Sequence, residues 1–187
     1  MATLHKIEIS HFRGIVQFSQ TFSKGVTCII GRGDSGKTTI LDAIALVLSP
    51  SYTVNFYDSD FYQCDVSTPI QIRATLTDLP PQIKAKYWEY VIGVKEGNTI
   101  EDFENKDAQD AETAIIVRLT VDKNLEHIWE VYNNRGIEPK TITATDRAKL
   151  NMAFISDYSD RQFSMMKGSP LFSIYKQKSD EEENLNT

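Results

Sequence analysis

Gly31-Arg32-Gly33-Asp34-Ser35-Gly36-Lys37-Thr38 is the stretch on which the fold turns. It fits G-x-x-x-x-G-K-[ST] at each fixed position, the pattern of a strand-to-helix loop that wraps a chain of phosphates. Before it, Val26 to Ile30 is a continuous apolar run, the signature of a strand buried on both faces. After it, Ile40, Leu41, Ile44, Ala45, Leu46, Val47 and Leu48 cover most of a helix that Pro50 stops, and such a helix is expected against a sheet. Strand, loop and helix in this order aim free backbone N–H groups and the positive end of the helix dipole at one anion. Gly33 and Gly36 let backbone approach phosphate oxygens, Lys37 can reach the outer phosphates, and the Thr38 hydroxyl is placed to hold Mg2+. The candidate nucleotide contacts are thus Gly31, Arg32, Gly33, Asp34, Ser35, Gly36, Lys37, Thr38 and Thr39. The tripeptide Arg32-Gly33-Asp34, known from cell adhesion, is coincidence inside such a loop. An Asn-Lys-x-Asp element for guanine is missing, since Asn105-Lys106-Asp107-Ala108 lacks the last Asp, so ATP is preferred over GTP.

Upstream the pattern alternates, with Ile7 and Ile9 on one side and Lys6, Glu8 and Ser10 on the other, as in a half-buried strand. His11-Phe12-Arg13-Gly14 turns the chain, Ile15 to Phe22 reads as a second strand, and Ser23-Lys24-Gly25 as a tight turn. Downstream, Ile70, Ile72, Ala74 and Leu76 alternate with Gln71, Arg73, Thr75 and Thr77 until Pro80-Pro81. Gln82 to Ile92 reads as helix. Ile115 to Val121 and His127 to Tyr132 read as two antiparallel strands joined through Lys123-Asn124. Thr145 to Asn151 reads as a short helix capped by Thr145, Met152 to Ile155 as a short strand, and Ser169 to Lys178 as a last helix.

With 187 residues, 41% of them apolar and 25% charged, the chain has the composition of one globular domain and not of a disordered or fibrous protein. It holds no run of 18 apolar residues, and Met1 to Lys24 lacks the apolar stretch of a signal peptide. Cys28 and Cys64 are too few for a disulfide framework or a zinc site. These features predict a cytoplasmic chain without a membrane partner. The net charge of -6 is uneven: from Lys95 to Glu112 seven carboxylates face two lysines. Too few apolar groups are present there to offset the entropy of ordering, which predicts an acidic mobile loop over 95–112. Residues 179–187 read as an acidic flexible tail. Elsewhere charges nearly cancel, so neither a basic patch nor repulsion from DNA is indicated. Asp58-Ser59-Asp60 reads as a solvated acidic loop, and His5, His11 and His127 show no ligand spacing.

The N-terminal strand, His11-Phe12-Arg13-Gly14, Gly25 to Gly31 and Asp34-Ser35-Gly36-Lys37-Thr38-Thr39-Ile40-Leu41-Asp42-Ala43-Ile44 together resemble the start of ABC-type ATPase heads of the SMC, RecF and OLD group. The likeness is greatest to OLD-family ATPases, including those of bacterial anti-phage defence. Ala153 to Arg161 and Lys167 to Leu171 are similar to a later segment of the same half. The resemblance implies an α/β P-loop NTPase, an ABC-ATPase-like head with a mixed sheet around the P-loop helix and an antiparallel sheet beside it, with 1–187 as a single, partial head domain. It implies ATP and Mg2+ as cofactors, Arg13 near the nucleotide, and Gln162 as the glutamine that senses metal and γ-phosphate. It further implies self-association of heads, or a nuclease or effector partner, with DNA reached through the complete protein. Gly33 stands where many relatives have Asn.

Some expected parts are missing. No segment reads as four apolar residues followed by Asp-Glu, the element for the water-activating base; Met152 to Asp157 comes nearest, without the Glu. A Ser-Gly-Gly signature, the late histidine of ABC heads and a nuclease carboxylate cluster are absent too. Three classes therefore remain open. The chain is part of an ATP-hydrolysing head in DNA repair or phage defence, or a nucleotide-binding module that docks a partner, or a P-loop kinase using Arg118, Arg135, Arg147 or Arg161.

Overall fold

The alternation at the N-terminus becomes the middle of a sheet. In the computed structural model, which describes residues 2–95, 98–100 and 111–150, β1 (Thr3–Phe12) pairs antiparallel with β2 (Ile15–Thr21) and with β3 (Ile70–Thr77). The sheet continues through β4 (Ile92–Lys95), β5 (Asn98–Ile100), β6 (Glu112–Val121), β7 (His127–Tyr132) and β8 (Lys140–Thr141). The order β2-β1-β3-β6-β4-β5 branches at β6, whose start meets β4 while its remainder lies between β3 and β7. Every strand pair among the described residues is antiparallel. These residues fall in the first of two compact units, Met1–Met152, where the sequence reads as one domain.

Register puts apolar residues in rows across four strands. Ile9, Ile72, Leu119 and Trp129 form one row, and Ile7, Ala74, Val117 and Val131 the next, all buried. On this face lies α1 (Lys37–Val47), which buries Ile40, Ala43 and Val47. The opposite face carries the row Glu8, Arg73, Arg118 and Glu130, where Arg118 pairs with Glu130 at 2.7 Å and lies over the Tyr132 ring. Two short helices, α2 (Pro81–Lys86) and α3 (Ala144–Lys149), flank the sheet.

Four expectations are corrected. Val26 to Ile30 forms no strand: Val26 is 96% and Ile30 91% exposed, and no ladder includes them among the described residues. An extended segment becomes a strand only when its N–H and C=O groups meet a neighbour, and the β1–β2 pairing ends with Phe22 N–H on the His5 carbonyl at 2.7 Å, before this segment begins. The helix expected over Gln82 to Ile92 stops at Lys86; Trp88–Tyr90 tightens to a 3-10 turn, and Ile92 opens β4 because its backbone pairs with Ala114 of β6. The short helix near Thr145 is capped by Thr143, whose hydroxyl accepts from Asp146 N–H at 3.2 Å. The segment read as an acidic loop begins and ends in paired strand, with β5 on β4 and Glu112 in β6. Residues 101–110, Met152 to Ile155, Ser169 to Lys178, Gln162 and the acidic tail lie outside the described residues.

Candidate functional site

The loop between Gly31 and Lys37 is held by its own glycines. Gly36, the N-cap of α1, is left-handed with φ 80°, as is Asp34 at φ 61°. A side chain at Gly36 would have to adopt that conformation, a strain of roughly 1–2 kcal/mol for ordinary L-residues. Gly31 is fixed for another reason: a Cβ there would stand 2.5 Å from the Ser35 hydroxyl oxygen. The loop thus closes on itself tightly at its root and lies exposed at its tip, Arg32 and Gly33.

No side chain caps the start of α1, and no acidic residue occupies its first turn. Its first N–H groups therefore face the loop without a side-chain acceptor, the arrangement that suits an anion. Lys37 folds back, its ammonium donating to the carbonyls of Gly31 at 3.0 Å and Arg32 at 2.6 Å and to the Ser35 hydroxyl at 3.3 Å. A cavity of about 470 Å³ opens here, lined by Gly14, Ile15 and the run Asp34 to Thr39. It is large enough for part of a nucleotide, and its walls are mostly polar loop.

Thr38 lines this cavity. Among the described residues no group of three or more His, Cys, Asp and Glu side chains could hold a metal ion. A cation at Thr38 fits only the mode in which Mg2+ keeps waters and borrows phosphate oxygens.

Arg13, singled out in the sequence, does not itself line the cavity. Its neighbour Gly14 lines the wall, while its guanidinium sits between two carboxylates, Nε donating to Asp60 Oδ1 at 2.9 Å and Nη1 to Asp42 Oδ2 at 2.5 Å. It also lies over the Phe12 ring, 4.8 Å from the centroid. Burial pulls its pKa down, but the hydrogen bonds to Asp60 and Asp42 outweigh that and the net shift is upward. The backbone of Arg13 is left-handed (φ 49°), a strain offset by its N–H bond to the Asp60 carbonyl at 2.7 Å.

Neither carboxylate was singled out as a site residue in the sequence. Asp60 read as part of a solvated loop, yet its side chain is 13% exposed and also accepts from Tyr57 N–H at 3.1 Å. Asp42 carried a readable signal, since it follows Thr38 by four residues and so stands one helical turn above it. Gly14 and Ile15 come to the cavity through the β1–β2 turn, which no local pattern announces.

No helix among the described residues is long and apolar enough to cross a membrane. Over 48 residues, 26% of the chain, the sequence is 46% identical to the chromosome partition protein Smc of Methanocaldococcus jannaschii, and the match spans 4% of that protein. The Smc head domain of Pyrococcus furiosus, solved with an extended coiled coil and bound to the C-terminal domain of ScpA, is similar in fold with a TM-score of 0.50. Identity is 15%, over 82% of this chain and 34% of that one. The recombination mediator protein RecF with ATP aligns at a TM-score of 0.49 and 14% identity, covering 90% of this chain and 36% of that one. The fold is α/β, a P-loop helix on an antiparallel sheet as in an SMC head. With its loop, its helix and nearly its whole length, residues 3–187, matched by one family, the chain belongs to the AAA ATPase domain family.

Proposed function

We propose that this chain is the nucleotide-binding portion of an ATPase head. One observation carries the reading: the uncapped start of α1 and the folded-back Lys37 ammonium converge on the cavity behind Gly36. In this reading the N–H groups from Asp34 to Thr39 cradle the phosphates of ATP, and Lys37 exchanges its two carbonyl acceptors for phosphate oxygens. Bound Mg2+ supplies charge neutralisation on the outer phosphates, and the Thr38 hydroxyl is its contact from this chain.

Hydrolysis needs a base and a signature loop that these residues do not provide. Val26 and Ile30, both more than nine-tenths exposed, support completion of the head by further protein, either more of the same polypeptide or a partner. The likeness of His11 to Gly14 and of Asp34 to Ile44 to OLD-type heads supports work in DNA repair or phage defence. Paired heads or a nuclease or effector partner belong to that reading, with Gln162 as metal sensor and DNA reached through the complete protein. The same two exposed residues equally favour a second reading, a nucleotide-binding module that docks a partner and does not hydrolyse.

Titration with a fluorescent ATP analogue and Mg2+ tests the first step. Lys37→Ala is expected to abolish binding or weaken it at least tenfold; unchanged affinity would remove the assignment.

A further inference from the structure

The two carboxylates on Arg13 are not equivalent. Asp60 is fixed from three directions: Oδ1 accepts from Arg13 Nε, Oδ2 from Tyr57 N–H, and its carbonyl from Arg13 N–H. The bridge between Phe12 and Phe61 ties the two segments together immediately beside it. Asp42 lies on α1 and holds Arg13 through one contact, its side chain 29% exposed against 13% for Asp60. It stands one turn beyond Thr38, on the helix whose N-terminus faces the cavity. Two carboxylates around one guanidinium leave this edge of an anion cradle with excess negative charge, and an arriving polyphosphate competes with them for the cation.

We propose that Asp60 is a positioning residue that holds Arg13 next to Gly14, which lines the cavity, while Asp42, one turn beyond Thr38, is the partner Arg13 gives up when a nucleotide binds. In the exchange Nε stays on Asp60, and Nη1 leaves Asp42 and donates to a phosphate oxygen. The inference rests on the nucleotide-binding reading above.

Its signature is a pair of effects of opposite sign. If the two carboxylates acted only through their charge, removing either would tighten anion binding. With Asp60 as the anchor, Asp42→Asn tightens ATP binding by about three- to tenfold, whereas Asp60→Asn weakens it by a similar factor, the scale of one partly exposed charge pair. Both effects vanish in an Arg13→Ala background, because both act through the guanidinium.

The experiment is a titration of fluorescent ATP analogue and Mg2+ on six proteins: wild type, the three single variants and the two double variants. A second readout needs no nucleotide: the Arg13 Nε–H resonance in a 1H–15N spectrum, assigned by its loss in Arg13→Ala. It persists in Asp42→Asn and exchanges away or shifts in Asp60→Asn. Tightening by both variants, weakening by both, effects that survive Arg13→Ala, or an Nε–H signal indifferent to Asp60 each overturn the proposal. If Lys37→Ala abolishes binding while the carboxylate variants behave alike, the nucleotide site stands and only this inference falls. If the wild type binds no nucleotide, both fall.

Discussion

Gly31 and Ser35 compete for one small volume, and this makes the loop's root sensitive to a single methyl. Gly31→Ala places a carbon 2.5 Å from the Ser35 oxygen and forces that side chain, which also receives Lys37, to move. ATP affinity is expected to fall about tenfold, roughly 1.4 kcal/mol, with most of it recovered in Gly31→Ala/Ser35→Ala; the analogue titration reads both. Lys37→Ala, by contrast, removes contacts to exposed loop atoms only, so urea unfolding should shift by less than about 0.5 kcal/mol. The opposite case is Asp146, 3% exposed at its side chain, which accepts from Lys86 Nζ, the Tyr87 hydroxyl and the Thr143 hydroxyl. Burial pulls its pKa up, but those donors outweigh it and the carboxyl titrates well below its usual range; Tyr87 is pushed the other way, by burial first and by Asp146 second. A depressed folded pKa gives stability that is present above about pH 4, the unfolded value, and is lost as pH falls below it. Asp146→Asn should therefore lower stability at pH 7 by about 1–3 kcal/mol and flatten the loss of stability below pH 4, measured by urea melts across pH. The phosphate loop was legible because its chemistry is local in sequence. Asp146 was not, because two of its donors, Lys86 and Tyr87, lie 60 and 59 positions away.

At the scale of elements, α1 is gripped at its far end. The contacts fall on its last turn and on the segment just past it, 48–51. The Leu46 carbonyl accepts from Trp129 Nε1 at 3.3 Å, and the carbonyls of Ser49 and Ser51 accept from Arg147 at 2.6 and 2.8 Å. Arg147 is 3% exposed, donates also to the Ile142 carbonyl at 2.8 Å and stacks 4.0 Å above Trp129. Its charge thus sits just past the C-terminal end of α1, the negative end of the helix dipole and the end away from the cavity. Only a planar fork reaches three carbonyls while stacking on an indole. Arg147→Met and Arg147→Lys should both destabilise by about 2–4 kcal/mol, and failure of lysine to rescue separates the fork from the charge. Guanidinium unfolding followed by circular dichroism checks this. Thr143 as the cap was readable, since Thr143 is followed three positions later by Asp146 and Thr145 by Ala148. The arginine's role was not, because two of its three carbonyl partners, Ser49 and Ser51, lie almost a hundred residues earlier.

At the scale of the whole molecule, the strands that alternate were all legible, because their registers set Ile9 on Ile72 and Ile72 on Leu119 without outside help. Val26 to Ile30 misled for the same physical reason inverted: its apolar pattern states a preference for neighbours, and a preference does not name them. The chain should accordingly show concentration-dependent association, and Val26→Lys/Ile30→Lys should suppress it with little change in unfolding free energy, read by light scattering and urea melts. Phosphate release should be slow, at least about a hundredfold below the enzyme median of roughly 10 per second, since one missing transition-state contact alone removes that much. Turnover near 1 per second would replace the partial-head reading with the kinase or another compact NTPase. The sequence holds two tryptophans, and the molecule has put them to different uses: Trp88 is 68% exposed, whereas Trp129 is 5% exposed with its indole N–H on the end of α1. Iodide in solution can silence the first and barely touch the second. What then remains of the emission is an optical gauge, fitted without labelling, that watches the phosphate-loop helix from behind while its front is being filled.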